Sequence, residues 1–191
     1  MSSRFPTAEP EWLERARRGD MHAHARLYEA FAPMVYTLAC RMLASRTHAE
    51  DVLQETFVEV IRKLHTWRGD GEFGIWVRRI AVNKCLMHLR SCWVSRQAPL
   101  DAEPCAPPGG DAADGLLLER ALAALPPTAR AVVLLHDVEG YTHQEIGRLM
   151  GRTASFSKSQ LARAHDRLRE LLNDDVTRTE VELCEPVLKT C

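Results

Sequence analysis

Apolar residues recur at spacings of three and four along most of the chain, and no segment shows a clear period of two. Such spacing places apolar side chains on one face of an α-helix, whereas alternation would indicate strands. The pattern predicts four helices in the N-terminal half, over about 12–18, 22–43, 47–64 and 73–93. It predicts four more in the C-terminal half, over about 116–125, 127–138, 142–150 and 155–172. We therefore expect an all-α fold.

Short polar residues mark where three of these helices are expected to begin. The segments Thr47-His48-Ala49-Glu50 and Thr142-His143-Gln144-Glu145 have the spacing of a capping box, in which threonine and glutamate each bind the other residue's backbone. Ser155 is predicted to cap the last helix. In the helix after the first box, the stripe expected to face the core is Leu53, Phe57, Val60, Ile61 and Leu64.

One segment in the middle of the chain lacks the composition of a folded core. Residues 97–115 contain four prolines, three glycines and four acidic residues, with no lysine or arginine. Proline and glycine interrupt regular structure, and so polar a segment has little apolar surface to bury. We expect a flexible acidic linker between two small helical domains, 11–96 and 116–172. The remaining residues, 173–191, form an acidic tail with two cysteines.

Charge is segregated along the chain although its formal total is only −1. Residues 1–96 carry a net +4 and residues 116–172 a net +2, whereas the linker carries −4 and the tail −3. Nucleic-acid-binding proteins usually show excess positive charge, so the total alone would argue against that class. The distribution instead indicates two basic blocks, each followed by an acidic segment.

Composition and hydropathy argue against a disordered protein, a membrane-spanning protein and a secreted protein. Apolar residues make up 46% of the chain, which is enough for a buried core. No apolar stretch approaches the roughly 20 residues needed to span a bilayer, and the N-terminus lacks the apolar core of a secretion signal. We therefore expect a cytoplasmic protein without membrane insertion. In that compartment the six cysteines are expected to be reduced thiols.

The segment 141–172 has the pattern of a helix-turn-helix, with a short capped helix, a turn at Gly151 and a longer basic helix. A helix of this kind fits the DNA major groove, where lysine and arginine donate to guanine and glutamine bonds adenine. The candidate base-reading residues are Lys158, Gln160 and Arg163. Candidate phosphate donors near the start of the helix are Ser155, Ser157 and Ser159. An ordinary amphipathic helix with a solvated basic face is the alternative.

The fourth helix combines an aromatic residue with cations and an amide. Trp76 precedes Arg79, Asn83 and Lys84 by one to two helical turns. An aromatic ring beside cations suits an unstacked base, because stacking on a side chain contributes about 1–3 kcal/mol per base. A core position is the alternative for Trp76.

These segments resemble, in order and spacing, the extracytoplasmic-function (group IV) sigma factors of bacterial RNA polymerase. The resemblance covers about residues 11–96 and 116–172. Its motifs are DVLQETF at 51–57, WRGDGEFGIWVRRIAVNKCLMHLR at 67–90, LPPTARAVVLLHDVEGYTHQEIGRLMG at 125–151 and SKSQLARAHDRLRELL at 157–172. The turn after the short helix departs from the family, which often has a glycine there followed by Thr-Val. Gln160 stands where an arginine is common.

The resemblance implies a role for each block. Residues 11–96 would be sigma region 2, in which Asp51, Gln54 and Glu55 face core polymerase on one side of a helix. A solvated acidic face is the alternative for these three residues. The residues expected at the −10 element are Trp76, Arg79, Asn83 and Lys84. Residues 116–172 would be region 4, a helix-turn-helix at the −35 element. The implied partners are core RNA polymerase through its β and β′ subunits, promoter DNA and an anti-sigma factor, with no cofactor and no catalytic residues.

Two other functions remain open from the residues alone. A helix-turn-helix regulator would bind duplex DNA without polymerase and use residues 11–96 for sensing or dimerisation. A metalloenzyme could use His22, His24 and the helix face of Cys85, His88 and Cys92. The chain has no HExxH motif, however. Neither the set of Cys85, His88 and Cys92 nor the tail pair of Cys184 and Cys191 reaches the four ligands of structural zinc, so we expect no metal site.

Overall fold

The computed structural model describes residues 6, 8–69, 71–95, 105 and 113–183, with side chains except at 92–95, 113–114 and 174–183. Within these ranges the chain is all-α, as predicted, and contains no strand. It folds as two compact units, Met1–Pro108 and Gly109–Cys191. No helix in the described part of the chain is long and apolar enough to cross a membrane.

The first unit is a four-helix assembly built around a long second helix. Its elements are α1 (Pro10–Arg17), α2 (Met21–Leu43), α3 (Arg46–Lys63), a 3₁₀ turn (Leu64–Thr66) and α4 (Phe73–Ser95). Helices α2, α3 and α4 pack against one another, and α1 packs against α2. The side chains that are almost fully enclosed in this core are Phe31, Val35, Met42, Val52, Val60, Leu64, Val77 and Val82. Burying side chains of this size contributes about 1.5–3 kcal/mol each.

The ends of α2 are set by local backbone chemistry. At its start, the Asp20 carboxylate accepts hydrogen bonds from the backbone N–H groups of His22 and Ala23, and it also binds Arg15 at 2.7 Å. The Arg15 hydrogen bond and these backbone donors hold the pKa of Asp20 below its usual value. At its end, Ala44 adopts a left-handed conformation with φ of 51°. The chain therefore turns into α3 without a glycine.

The predicted capping box at Thr47 is wrong. Helix α3 begins at Arg46, and the N-cap is the buried Ser45, whose side chain accepts from the His48 backbone N–H at 3.4 Å. Thr47 and Glu50 both lie inside the helix, where Glu50 pairs with Arg46 at 3.0 Å. Two candidate caps lie two residues apart here, and the left-handed residue before Ser45 selects the earlier one.

The second unit contains the helix-turn-helix. Its elements are α5 (Ala113–Ala123), α6 (Pro127–Val133), a π-helical turn (Leu134–Val138), α7 (His143–Met150) and α8 (Ala154–Leu183). Helices α5, α6 and α7 all pack against α8. The helix predicted over 127–138 therefore changes its hydrogen-bonding pattern after Val133. Arg130, which is only 4% exposed, donates to the Ala123 carbonyl at the end of α5, and its burial lowers its pKa to about 10.

The caps of the second unit confirm one prediction and correct another. At α7, the Thr142 side chain accepts from the Glu145 backbone, and the Glu145 carboxylate accepts from the Thr142 backbone, so the capping box is present. At α8, the cap is Thr153, whose hydroxyl accepts from the Phe156 N–H at 3.2 Å. Ser155 lies inside the first turn and does not cap the helix.

The linker and the tail fall largely outside the described residues. Of the predicted linker, the structure describes only 105 and 113–115, and the last three belong to α5. The helical backbone of α8 continues from the predicted end at Leu172 to Leu183, while 184–191, with both tail cysteines, lie outside the description. The expectation that all cysteines are thiols is wrong for one pair, because a disulfide joins Cys40 to Cys105.

Candidate nucleic-acid interface

The first turns of α8 present a polar and basic face. Ser155, Lys158, Ser159 and Arg163 are exposed, and Gln160 is half-buried at the edge of this face. The Arg163 Nε donates to the Ser159 carbonyl at 3.2 Å, which holds the guanidinium along the helix. The face therefore combines two cations and two hydroxyls, groups that bind base edges and phosphates.

Ser157 does not belong to this face, which corrects the prediction that it contacts phosphate. It is fully buried, and its Oγ lies 3.1 Å from His143 Nδ1 of α7. Burial follows from position, since Ser157 lies one turn before Leu161 on the buried stripe of α8. Its hydrogen bond joins the two helices of the helix-turn-helix.

Gly147 allows α7 and α8 to approach each other, and the sequence reasoning did not identify it. A Cβ at this position would lie 2.8 Å from the Arg152 carbonyl oxygen and 3.0 Å from the Thr153 carbonyl carbon. The Arg152 N–H in turn donates to the Gly147 carbonyl at 2.7 Å. The signal in the sequence is a glycine inside an otherwise regular amphipathic helix, which costs stability unless close packing requires it.

A histidine–aspartate cluster joins α8 to the π-helical turn that follows α6. The Asp137 carboxylate accepts from His136 and from His165 of α8, both at 2.7 Å. Burial opposes the charge of Asp137, but these two hydrogen bonds outweigh it, and the pKa of the carboxyl is lowered. The His143 ring stacks on His136 with centroids 4.6 Å apart. Burial and the neighbouring His136 and Lys158 lower the pKa of His143.

Helix α4 presents a second candidate face in the first unit. Arg79 and Asn83 are exposed one turn apart, and Trp76 is half-buried one turn before Arg79. The large apolar residues Ile75 and Met87 are also exposed on this helix. The face therefore offers a ring, a cation and an amide side by side, together with exposed apolar surface.

An aromatic cluster supports the start of α4. The Phe73 ring contacts Phe31 and Trp67 edge-on, with centroids 5.3 and 5.2 Å apart, and contacts Trp76 at 5.5 Å. Edge-to-face contacts of this kind add about 0.5–1.5 kcal/mol beyond simple burial. Trp76 is therefore positioned by the core and partly exposed at the same time. Arg17 of α1 donates to the Trp67 carbonyl and lies over its ring, 5.6 Å from the centroid.

Lys84 pairs with a residue predicted for a different surface. Its Nζ lies 3.3 Å from Glu55 Oε2 of α3, and His88 Nε2 lies 3.4 Å from the other Glu55 oxygen. Lys84 is therefore turned toward α3, whereas Arg79 and Asn83 are exposed on α4. The pair joins the predicted polymerase-facing helix to the predicted DNA-facing helix.

The exposed face of α3 is acidic at one end and apolar at the other. Asp51, Gln54 and Glu55 are exposed, as expected from their spacing. Val58 and Ile61 continue the same side of the helix and are 58% and 45% exposed. The prediction that Ile61 faces the core is therefore wrong. Together these five residues form what we call the α3 face.

The described residues contain no group of three or more histidine, cysteine or acidic side chains that could hold a metal ion. Of the cysteine–histidine set on α4, Cys85 is buried and His88 pairs with Glu55, while the Cys92 side chain lies outside the description. His24 binds the Ala16 carbonyl at 2.8 Å.

Comparison with known proteins identifies both units. Residues 27–94 match the model of Sigma-70 region 2, and residues 115–168 match that of Sigma-70, region 4. The chain is 33% identical over 172 residues to the ECF RNA polymerase sigma factor SigM of Mycobacterium tuberculosis, covering 88% of this chain and 87% of that one. It is 34% identical over 167 residues to the RNA polymerase sigma factor CarQ of Myxococcus xanthus, covering 85% and 96%.

Solved structures share the fold at lower identity. The sigma factor RpoE of Bartonella quintana, crystallised with the anti-sigma factor NepR, aligns with a TM-score of 0.56 and 20% identity, over 78% of this chain and 96% of that one. CnrH, solved with the cytosolic domain of CnrY, aligns with a TM-score of 0.50 and 23% identity, over 86% and 97%. With both helical units, both region models and relatives matched over most of their length in agreement, the chain belongs to the ECF family of RNA polymerase sigma factors, which direct transcription initiation.

Proposed function

We propose that this chain recruits core RNA polymerase to promoters by binding two DNA elements with its two units. Residues 116–172 bind the −35 element, residues 11–96 bind core polymerase and open the −10 element, and 97–115 connect them. The observation that carries the proposal is the basic face of α8, presented by a helix-turn-helix that Gly147 and the Ser157–His143 hydrogen bond hold together. The chain performs no catalysis and needs no cofactor, and it acts in the cytoplasm.

At the −35 element, α8 enters the major groove with Lys158 and Arg163 toward base edges. Both residues are exposed, and a cation that donates to guanine contributes about 1–3 kcal/mol of discrimination. Ser155 lies beside them in the first turn of the helix, where backbone N–H groups also favour phosphate. Ser159 follows one turn later, and its hydroxyl donates to the Ser155 carbonyl at 3.0 Å. Gln160 sits at the edge of the face, where it reaches an adenine or the adjoining backbone.

At the −10 element, the exposed face of α4 receives an unpaired base. Asn83 offers both donor and acceptor atoms to the base edge, Arg79 contacts the phosphates, and the exposed edge of Trp76 offers a stacking surface. Flipping a base costs a few kcal/mol, and stacking on an aromatic side chain returns about 1–3 kcal/mol. The aromatic cluster below Trp76 supports this role, because a ring fixed by Phe73 loses little freedom on binding.

The α3 face binds core polymerase. Its acidic end, with Asp51 and Glu55, suits a basic surface on the β and β′ subunits, and its apolar end, with Val58 and Ile61, adds the hydrophobic area that stable interfaces contain. Glu55 is already paired with Lys84, so Asp51 and Gln54 provide the polar contacts that need no rearrangement. Lys84 contributes to the −10 site by fixing α3 against α4.

Each contact in this scheme can be weak because the sites are linked. Two binding modules on one chain raise each other's effective concentration, and docking on the same enzyme adds a third linkage. The connection must be long enough for both units to reach their elements at once. An anti-sigma factor is a further proposed partner, since the structurally similar sigma factor RpoE was crystallised with a protein of that class.

Co-purification with core polymerase tests the docking proposal. Asp51→Arg reverses a charge on the α3 face, and we expect it to reduce recovery of core enzyme at least tenfold while the chain remains helical. Glu29→Arg is the matched control, because Glu29 is an exposed carboxylate on α2 that lies 3.9 Å from Arg26 and lines a groove with Trp12 of α1. Equal recovery of core enzyme by both variants would refute docking through α3.

Footprinting of the assembled enzyme tests the assignment of the two DNA elements. With wild-type chain, we expect protection of the −35 region and reactivity of unpaired bases at the −10 region. Arg163→Ala should weaken −35 protection, while Asn83→Ala should leave it intact and reduce base opening. Loss of both signals in each variant would contradict the division of labour between the units.

A further inference from the structure

Two cysteines far apart in sequence meet in the first unit. Cys40 is in the C-terminal half of α2 and is 3% exposed, whereas Cys105 is half-buried and lies within the predicted linker. They are 65 residues apart, and their Cα atoms lie 5.3 Å from each other, within the range in which a disulfide forms without moving the backbone. The hydroxyl of Tyr36, one helical turn before Cys40, lies 3.6 Å from the Cys105 sulfur.

We propose that Cys40 and Cys105 are a reversible redox modification site whose disulfide fixes the linker to α2 and shortens the reach between the two DNA-binding units. The oxidant is a low-molecular-weight disulfide, such as oxidised glutathione. The consequence for transcription rests on the proposed function above, whereas the chemistry of the site does not.

The chemistry is thiol–disulfide exchange in two steps. The Cys105 thiolate, the more accessible of the two, attacks one sulfur of the small disulfide and forms a mixed disulfide, releasing one thiolate. The Cys40 thiolate then attacks the Cys105 sulfur, forms the internal bond and releases the second thiolate. Two protons leave the protein thiols, and two electrons pass to the oxidant, which ends as two thiols. A reducing dithiol reverses both steps.

The effect on reach follows from chain length. Without the bond, 18 residue steps separate the end of α4 at Ser95 from the start of α5 at Ala113, and they span at most about 60 Å. With the bond, the last fixed point is Cys105, and the 8 remaining steps span at most about 27 Å. Oxidation therefore removes more than half of the maximum reach.

The promoter requires a reach between these two values. Elements at −35 and −10 are about 25 base pairs, or roughly 85 Å, apart along the duplex. Compact units of this size have a radius of gyration near 12 Å, hence a physical radius of roughly 16 Å. Two such units centred on their elements leave a gap of about 53 Å. The free connection spans that gap and the fixed one does not, so oxidation separates the two binding events and removes their mutual reinforcement.

Peptide mapping tests the chemistry. Trypsin places Cys40 in the fragment 27–41 and Cys105 in the fragment 97–120, because neither contains an internal lysine or arginine. After treatment of the full-length chain with oxidised glutathione, we expect these two fragments joined by a disulfide and separated by dithiothreitol. Cys105→Ser should abolish the joined pair. Failure of the wild-type pair to form under oxidation, with both fragments recovered singly, would overturn the proposal.

Transcription by core polymerase carrying the full-length chain tests the consequence. We expect oxidised wild-type chain to lose about tenfold or more in transcripts from a promoter with both elements, and dithiothreitol to restore them. The Cys105→Ser chain should be equally active before and after oxidation, which also controls for oxidation of core enzyme. Equal activity of wild-type chain before and after mapped bond formation would overturn the reach argument. Inactivity of both chains even when reduced would instead contradict the proposed function.

Discussion

Replacing Gly147 with alanine tests whether the close approach of α7 to the turn holds the helix-turn-helix together. The new Cβ would meet the Arg152 carbonyl oxygen at 2.8 Å, about 0.5 Å closer than the ordinary carbon–oxygen contact. The oxygen belongs to the backbone and cannot rotate away as a side chain would. Arg152 also donates its N–H to the Gly147 carbonyl, and it directly precedes Thr153, the cap of α8.

Two opposing terms set the size of the Gly147→Ala effect. Alanine stabilises a helix by up to about 1 kcal/mol relative to glycine, because a chain with alanine loses less conformational freedom when it folds. Forcing an extra carbon into a packed region costs about 1–3 kcal/mol. Since the contacted atom is backbone, we expect the clash to prevail and the second unit to lose about 1–2 kcal/mol. For a unit of this size, that lowers the melting temperature by about 5–15 °C.

The positions of the tryptophans allow the two units to be followed separately in one chain. All four tryptophans precede residue 94, so their fluorescence reports only the first unit, while circular dichroism at 222 nm reports both. We expect Gly147→Ala to lower the melting transition seen by circular dichroism alone. Gly115→Ala is the matched control, because Gly115 is helical with open space around its Cβ position, and it should leave that transition unchanged or raise it.

A change in the same direction for Gly147→Ala and Gly115→Ala would refute the reasoning. It would mean that helix propensity, rather than contact with the turn, decides the effect. A loss of the fluorescence transition in Gly147→Ala would refute it differently, by placing the effect in the first unit.

Three further predictions concern single side chains. Lys158→Ala should weaken binding to −35 duplex DNA by about 1–3 kcal/mol in a fluorescence anisotropy titration. Arg169 pairs with Asp166 of the same helix, so Arg169→Ala should weaken binding less, and equal losses would contradict base reading by Lys158. The pKa of His143 is lowered in the folded state, so the unfolded chain binds more protons as the pH falls below about 6.5, and the second unit loses stability on acidification. His143→Gln should reduce this pH dependence of stability, measured by urea unfolding at several pH values, and an unchanged dependence would refute it. Glu55→Gln should lower the free energy of unfolding of the first unit by less than about 1 kcal/mol, because the Glu55 carboxylate is 45% exposed. A larger loss in unfolding followed by tryptophan fluorescence would contradict this, since it would mean that the ion pair with Lys84 contributes more than an exposed pair does.

The sequence was informative where regular periodicity dominates. The stripe of Ser157, Leu161, Ala164 and Leu168 is buried as a unit, and the same period of three and four predicts the helix itself. The error at Ser157 came from judging the residue by its hydroxyl rather than by its register. Helix α8 begins at Ala154, one residue before the predicted start, and Thr153 is therefore the residue that caps it.

Other features depend on contacts that a single sequence does not encode locally. Ser45 and Thr47 are both acceptable caps, and the choice follows from the left-handed Ala44 that precedes them. The pairing of Lys84 with Glu55 requires the packing of α3 on α4, so each residue was assigned to a separate surface. The Cys40–Cys105 bond joins residues 65 positions apart, and only the folded first unit brings them together.

The most direct test of the central claim is run-off transcription by core RNA polymerase on fragmented genomic DNA from the same host, with and without this chain, followed by sequencing of transcript 5′ ends. The account predicts start sites that appear only with the chain and share −10 and −35 sequences at a fixed spacing. It further predicts that Lys158→Ala with Arg163→Ala removes them while the chain still co-purifies with core enzyme. An identical set of start sites with and without the chain would contradict it.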